Sequence, residues 1–195
     1  MSDYELILVD GNGTSTLDLV KNEQVIKISS KKGRANQMNA GAKIARCNKL
    51  LFLHSDTLLP KYALSYINET LNTFSAGAFE LSFNTNKTSL KIIAKVASWR
   101  SRLTRLPYGD QAIFVRKDIF EKLGMYEDIS LMEDVNLMQK LKKNHFNIKI
   151  LNQKVITSAI KWEENGIIKN TTRNWILQIL YFCKINPNKL AKYYT

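Results

Sequence analysis

The stretch Leu50-Leu51-Phe52-Leu53-His54-Ser55-Asp56-Thr57 is an apolar run that stops abruptly in polar residues. Four consecutive large apolar side chains suit a strand buried on both faces, and the polar residues that follow mark its arrival at a sheet edge. Side chains alternate along a strand, so this reading points His54 and Asp56 the same way at the strand's carboxyl end, where open α/β sheets bind ligands. A carboxylate beside an imidazole suits a divalent cation, Mg2+ or Mn2+. The plainer alternative is a polar strand end with Asp56 capping the turn into Pro60.

The rest of the chain extends that pattern. Glu5 to Val9 and Val25 to Ser29 read as strands, Arg34 to Cys47 as an alanine-rich helix, and Tyr62 to Phe74 as a helix after Pro60. Ala78 to Phe83 alternates as a strand, Leu90 to Leu103 is amphipathic, and Ala112 to Val115 is a short strand. Lys117 to Leu123 forms a helix stopped by Gly124, and Val135 to Lys143 has helical spacing. Phe146 to Leu151 and Val155 to Ser158 read as two further strands. The segment from Ile167 to Tyr194 reads as helical, broken at Pro187. Strands alternating with helices predict a three-layer α/β/α domain with a mixed, mostly parallel sheet over residues 1–165, and a helical tail over 166–195 packed on it.

With 195 residues the chain can bury one sizeable core. Its formal charge of +12 favours anionic partners: nucleic acid, an acidic membrane surface or a phosphorylated substrate. Lysines are scattered and no zinc-finger or aromatic-basic RNA signature appears, which argues against dedicated nucleic-acid binding. Cys47 and Cys183 stand in no CxxC context, and no signal peptide or membrane-length apolar run is present. Those features predict a cytoplasmic protein.

Four further places combine polar residues with element boundaries. Asp10-Gly11 follows the first strand, where a carboxylate can accept hydrogen bonds from a base or ribose, or can simply shape a turn. Gly33 to Ala42 sets Arg34, Asn36, Gln37 and Asn39 at a helix start, a favourable place for phosphate. Tyr108-Gly109-Asp110-Gln111 places an acid and an amide just before a strand. Glu133 and Asp134 open a helix among apolar neighbours. Burial raises a carboxyl pKa towards that of a general base, and in a pair one acid can orient while the other accepts a proton.

Together these residues resemble family 2 glycosyltransferases of the GT-A fold, a Rossmann-like nucleotide-diphospho-sugar transferase fold. More narrowly they resemble the arsenosugar-biosynthesis-type group. The resemblance rests on Val9-Asp10-Gly11, Gly33 to Ala42, Leu51 to Thr57, Trp99 to Arg102, Tyr108 to Gln111 and Leu131 to Val135, in that order. It implies transfer of a sugar from a nucleotide-diphosphate donor to a small-molecule or lipid-linked acceptor, with inversion and a divalent cation. By that resemblance Asp56, with His54, holds the metal. Asp10, Gly11, Arg34, Gln37 and Asn39 join them in binding the nucleotide sugar. Gly109, Asp110, Gln111 and Trp162 stand on the acceptor side, and Asp134, beside Glu133, is the catalytic base.

Two departures stand out. The family opens on a strand ending in a Pro-x-x-Asn-Glu type loop that has no counterpart here, so the fold is expected to be N-terminally truncated. An interior strand missing from a sheet exposes unpaired edges, which makes homo-oligomerisation or strand borrowing an expectation. The loop Asn12-Gly13-Thr14-Ser15 also lacks the family's second acid. A noncatalytic GT-A-like binding or assembly protein is the alternative function. Finally, Trp175, Ile176, Ile179, Leu180 and Phe182 with Lys184, Lys189 and Lys192 describe a helix that either packs on the domain or lies on the cytoplasmic face of a membrane.

Overall fold

A computed structural model describes residues 4–13 and 16–193. Thr14, Ser15 and Tyr194, named above, lie outside the described residues. In chain order the elements are β1 (Leu6–Asp10), β2 (Val25–Ser29), α1 (Arg34–Ile44), β3 (Lys49–Leu51), β4 (Thr57–Leu58), α2 (Ala63–Thr73), β5 (Ala76–Phe83) and α3 (Thr88–Thr104). A 3-10 turn at Gly109–Gln111 leads to β6 (Phe114–Arg116), α4 (Lys117–Lys122), α5 (Glu133–Lys143), β7 (Ile148–Thr157), α6 (Ile160–Glu164), α7 (Ile167–Phe182) and α8 (Pro187–Leu190).

The strands divide between two sheets. β1 and β2 pair in parallel from Leu6 opposite Val25 to Asp10 opposite Ser29. The other five run in the order β3-β6-β5-β7-β4. Among the described residues no ladder joins the two sheets, and the strongly apolar β1 leaves Leu6 exposed.

Three layers form as expected. α1, α4 and α5 cover one face through Ala35, Ala42, Phe120, Leu137, Met138 and Leu141, packed on Ala76, Ala78, Ile148 and Ile150. Ala63, Ile67 and Leu71 of α2 cover the opposite face against Phe79, Phe114 and Val155. Leu90 and Ala94 of α3 meet Leu81 and Phe83 beside them. Gly77 is required within the sheet, since a Cβ there would lie 2.5 Å from both the Lys149 carbonyl oxygen of β7 and Phe114 Cζ of β6.

Several expectations change. The larger sheet is mixed but not mostly parallel: β5–β7 is parallel, whereas β3–β6, β5–β6 and β4–β7 are antiparallel. A helix makes neighbouring strands parallel only if it returns the chain over the sheet, and here the turn at Gly109–Gln111 intervenes between α3 and β6. Phe146 to Leu151 and Val155 to Ser158 merge into the single strand β7. Its ladder to β5 slips between Ala78 and Glu80, so Leu151, Asn152 and Gln153 face Phe79 alone.

The opening stretch is also less regular than its apolar run suggests. β3 ends at Leu51; the Phe52 N–H still donates to the Ile113 carbonyl at 2.9 Å, but Leu53 is exposed. Phe52 turns inward to pack on Phe120 and Tyr126. The helix stop at Gly124 is as expected, with φ +80° and the Met125 N–H donating to the Phe120 carbonyl.

Candidate active site

The centre of the site is Gly109. Its N–H donates to Asp134 Oδ2 at 2.6 Å, tying the turn before β6 to the start of α5. A Cβ on Gly109 would lie 2.9 Å from His54 Nε2, 3.1 Å from His54 Cε1 and 3.4 Å from Asp134 Oδ2. His54, Gly109 and Asp134 therefore converge from three separate segments. His54 arrives there by a turn, in which the Thr57 N–H donates to the His54 carbonyl at 3.1 Å. The strand alternation expected to set His54 and Asp56 side by side is thus broken. Asp56 is exposed at the turn, and its carbonyl anchors the Ser158 N–H.

The two acids of α5 divide their roles. Glu133 is buried and grips Arg34, at the first turn of α1, through Nε at 2.8 Å and a second guanidinium nitrogen at 3.3 Å. That bidentate contact spans 99 positions of sequence and fixes the direction of a half-exposed cation. Asp134 faces Gly109 instead, and its Oδ1 accepts the Val135 N–H at 2.7 Å. Both acids sit in the first turn of a helix, where the N-terminal dipole favours negative charge. Met132 precedes them with φ 65°, in a segment that packs through Leu131 on Leu177 and Leu190 of the C-terminal helices.

Electrostatics follow from this crowding. Asp110 has its pKa raised to about 7, first by burial and then by the charge of Asp134, with Arg100 and Arg34 pulling it down. Although part of the residue reaches solvent, its Oδ1 is enclosed without a hydrogen-bond partner. Burial likewise raises Glu133, reinforced by Asp134 and opposed by Arg34. His54 is lowered, chiefly by burial and then by Arg34, so its imidazole is neutral at neutral pH. Tyr108 is raised by burial; its hydroxyl oxygen has no partner, and Arg100 stacks on its ring at 3.7 Å.

Other expected residues are placed as follows. Asp10 accepts the Asn12 N–H at 2.8 Å and the Thr16 hydroxyl, shaping its own turn. Gly11 lies against the Gln37 side chain, and Gln37 Nε2 donates to the Val9 carbonyl at 3.1 Å, fastening α1 to β1. The Asn39 amide exchanges two hydrogen bonds with the backbone of Tyr126, at 2.8 and 3.0 Å. Gln111 is fully buried: its Oε1 accepts from Ser101 Oγ at 2.6 Å and from the Tyr108 N–H at 3.2 Å, while its amide donates to the Phe79 carbonyl at 2.9 Å. It anchors the turn that presents Gly109 and Asp110. Trp162 packs edge-on against Phe83.

No sequence motif marks Lys161, which lies on the one-turn helix α6. Its charge bears on His54, and it joins Lys32, Gly33, Arg34, Ile129 and Ser130 around an open cleft of about 390 Å³, whose lining carboxylate, Asp128, pairs with Lys31. The amino end of α1 opens at this cleft, so cations and helix dipole together suit an anion.

Among the described residues no group of three or more His, Cys, Asp and Glu side chains is arranged to hold a metal ion. A protein-only metal cage is therefore a poor fit. Asp56 and neutral His54 are at most two protein donors, a number that suits a cation completed by substrate phosphate and water, as magnesium sites often are.

No protein-family model and no curated protein matches the chain. The solved structure of TarS residues 1–349 from S. aureus, a glycosyltransferase, is similar at a TM-score of 0.59 and 15% sequence identity. The likeness covers 89% of this chain, which spans 56% of that one. The fold is therefore glycosyltransferase-like, while the narrower arsenosugar-type group has no support beyond the motifs themselves.

Proposed function

We propose that this protein transfers a sugar from a nucleotide-diphosphate donor to an acceptor hydroxyl, with inversion. The observation that carries the reading is the division of labour between Glu133 and Asp134. One acid fixes Arg34 beside a cationic cleft, and its neighbour, hydrogen-bonded to Gly109, stands where His54 and the Tyr108–Gln111 turn converge. The glycosyltransferase-like fold supports the same reading.

In this mechanism the donor diphosphate lies in the cleft, which Asp128 also lines, with Lys32 and Lys161 drawing it in by charge and Arg34 neutralising the leaving group as it departs. Asp56 and His54 would hold a divalent cation together with the diphosphate, and the ion supplies further neutralisation of that charge. Asp134 accepts the proton of the attacking hydroxyl, a contribution of roughly 10²- to 10⁴-fold in rate. The backbone donors from Gly109 and Val135 keep its carboxylate oriented while each oxygen retains a free lone pair. Asp110 and Tyr108, each with an enclosed oxygen lacking a partner, offer polar contacts on the acceptor side.

The test is incubation with a panel of nucleotide-diphosphate sugars and Mn2+, following nucleoside diphosphate release in wild-type protein and in Asp134→Asn. Release in the wild type that the variant loses is the expected result. Saturable donor binding without turnover in either protein would instead favour a noncatalytic binding role.

A further inference from the structure

Two helices carry apolar residues on the side turned away from the core. On α3 these are Ile92, Val96, Trp99 and Leu103, spaced four, three and four apart and therefore on one face. The opposite face holds Leu90, Ala94, Ser98 and Ser101, all buried. On α7 the outward residues are Ile168, Trp175, Ile176, Ile179 and Phe182, opposite the buried Asn170 and Leu177. Trp99 and Trp175 are 65% and 61% exposed, uncommon for a side chain with so much apolar area. Both helices reach one hydrophobic cluster, through Ile93 and Ala97 of α3 and Ile167 at the start of α7, with Trp162 of α6 between them in sequence.

Charge identifies what this surface meets. Residues 81–109, which include α3, and residues 165–195, which include α7, contain no Asp or Glu. They contain 11 of the 29 Lys and Arg residues, so the remainder of the chain, with 18 basic and 17 acidic residues, is nearly neutral. Lys91 and Lys95 flank the α3 stripe, and Lys169 lies beside that of α7, with Lys184, Lys189 and Lys192 following it. Some of this charge is answered locally: Arg102 pairs with Glu80 and Lys87 with Glu163.

We propose that the α3 and α7 face docks on an anionic lipid bilayer, seating Trp99, Leu103, Trp175 and Ile179 at the interface with lysines against the headgroups. A second copy of the chain would bring two strongly positive faces together, whereas a phospholipid surface supplies both apolar depth and negative charge. Nucleic acid would answer the charge and leave the apolar stripes in water. No described helix is long and apolar enough to cross a membrane, so the contact is peripheral. The proposal is independent of the transfer reaction.

The experiment is co-sedimentation of the full chain with vesicles of phosphatidylcholine alone or mixed with phosphatidylglycerol, alongside tryptophan emission. The protein is expected to sediment with the mixed vesicles, less strongly as salt rises, with a blue shift from Trp99 and Trp175. Trp99→Ser with Leu103→Ser, and separately Trp175→Ser with Ile179→Ser, should each lower the partition coefficient at least about tenfold, the loss expected when large apolar side chains no longer enter the bilayer. Circular dichroism should show both double variants folded, since the substituted residues are on the surface. Equal partition to both vesicle types, or double variants that bind like wild type, would overturn the proposal. So would a concentration-dependent dimer that the same substitutions abolish while vesicle binding stays absent.

Discussion

Replacing Asp110 by Asn should make the protein more stable at alkaline pH and less active. Its carboxyl pKa is about 7 in the folded protein against an ordinary 3.8, so between those values the folded state binds more protons than the unfolded one. Stability conferred by the neutral acid is present at low pH and lost as pH rises through about 7. The gap corresponds to about 4 kcal/mol at most, and nearby Arg100 and Arg34 are already counted within it. Asn has the same shape and never ionises. Urea unfolding of both proteins at about pH 4.5 and about pH 8 isolates the effect as a difference, expected to be no more than about 1 kcal/mol at the lower pH and to grow by up to about 3 kcal/mol in favour of the variant at the higher. His54, whose lowered pKa makes stability rise with pH, titrates in both proteins and drops out of the comparison. A variant no more stable than wild type at alkaline pH, or a difference independent of pH, would refute the reasoning.

Three other substitutions probe separate parts of the site. Asp134→Asn should lower kcat by roughly 10²- to 10⁴-fold while leaving donor affinity by calorimetry within about twofold; equal losses in both would remove Asp134 from the base role. Gly109→Ala puts a methyl 2.9 Å from His54 Nε2 and should displace the imidazole, cutting turnover on the order of 10²-fold with little change in Tm. Full activity in that variant would show that His54 position does not matter. Lys161→Ala should raise the donor KM about tenfold at low salt, with the difference shrinking as salt rises and kcat held within about twofold. A drop confined to kcat would place Lys161 in the chemical step instead.

Regular alternation and helix punctuation were legible in the sequence, and tertiary contacts were not. Val25 to Ser29 has the expected bounds because its alternation needs only a local pleat. The apolar run Leu50 to Leu53 predicts a strand, yet aromatic packing draws Phe52 inward against Phe120 and Tyr126 and the strand stops at Leu51. Its four apolar residues reported burial correctly for Leu50 and Phe52 and not for Leu53. Gln37 and Asn39 are unusual amides in a helix, and amides that tie backbone segments look the same in sequence as amides that bind a nucleotide. Arg34 and Glu133 were each conspicuous, but their bidentate pairing exists only once α1 and α5 are folded side by side. Lys161 had no motif around it, and only the packing of α6 brings it to the cleft.

The adjacency of Glu133 and Asp134 couples two halves of the proposed chemistry. Consecutive residues at a helix start point in different directions, so a single turn of α5 fixes a cation on the donor side and a base on the acceptor side. Met132, with its positive φ, sets that turn, and Leu131 beside it is held by Leu177 and Leu190. Movement of α7 and α8 would therefore reach Arg34 and Asp134 through one short backbone segment. The same α7 carries the outward stripe of Trp175 and Ile179, so the proposed bilayer contact and the segment that seats Glu133 and Asp134 meet in one helix.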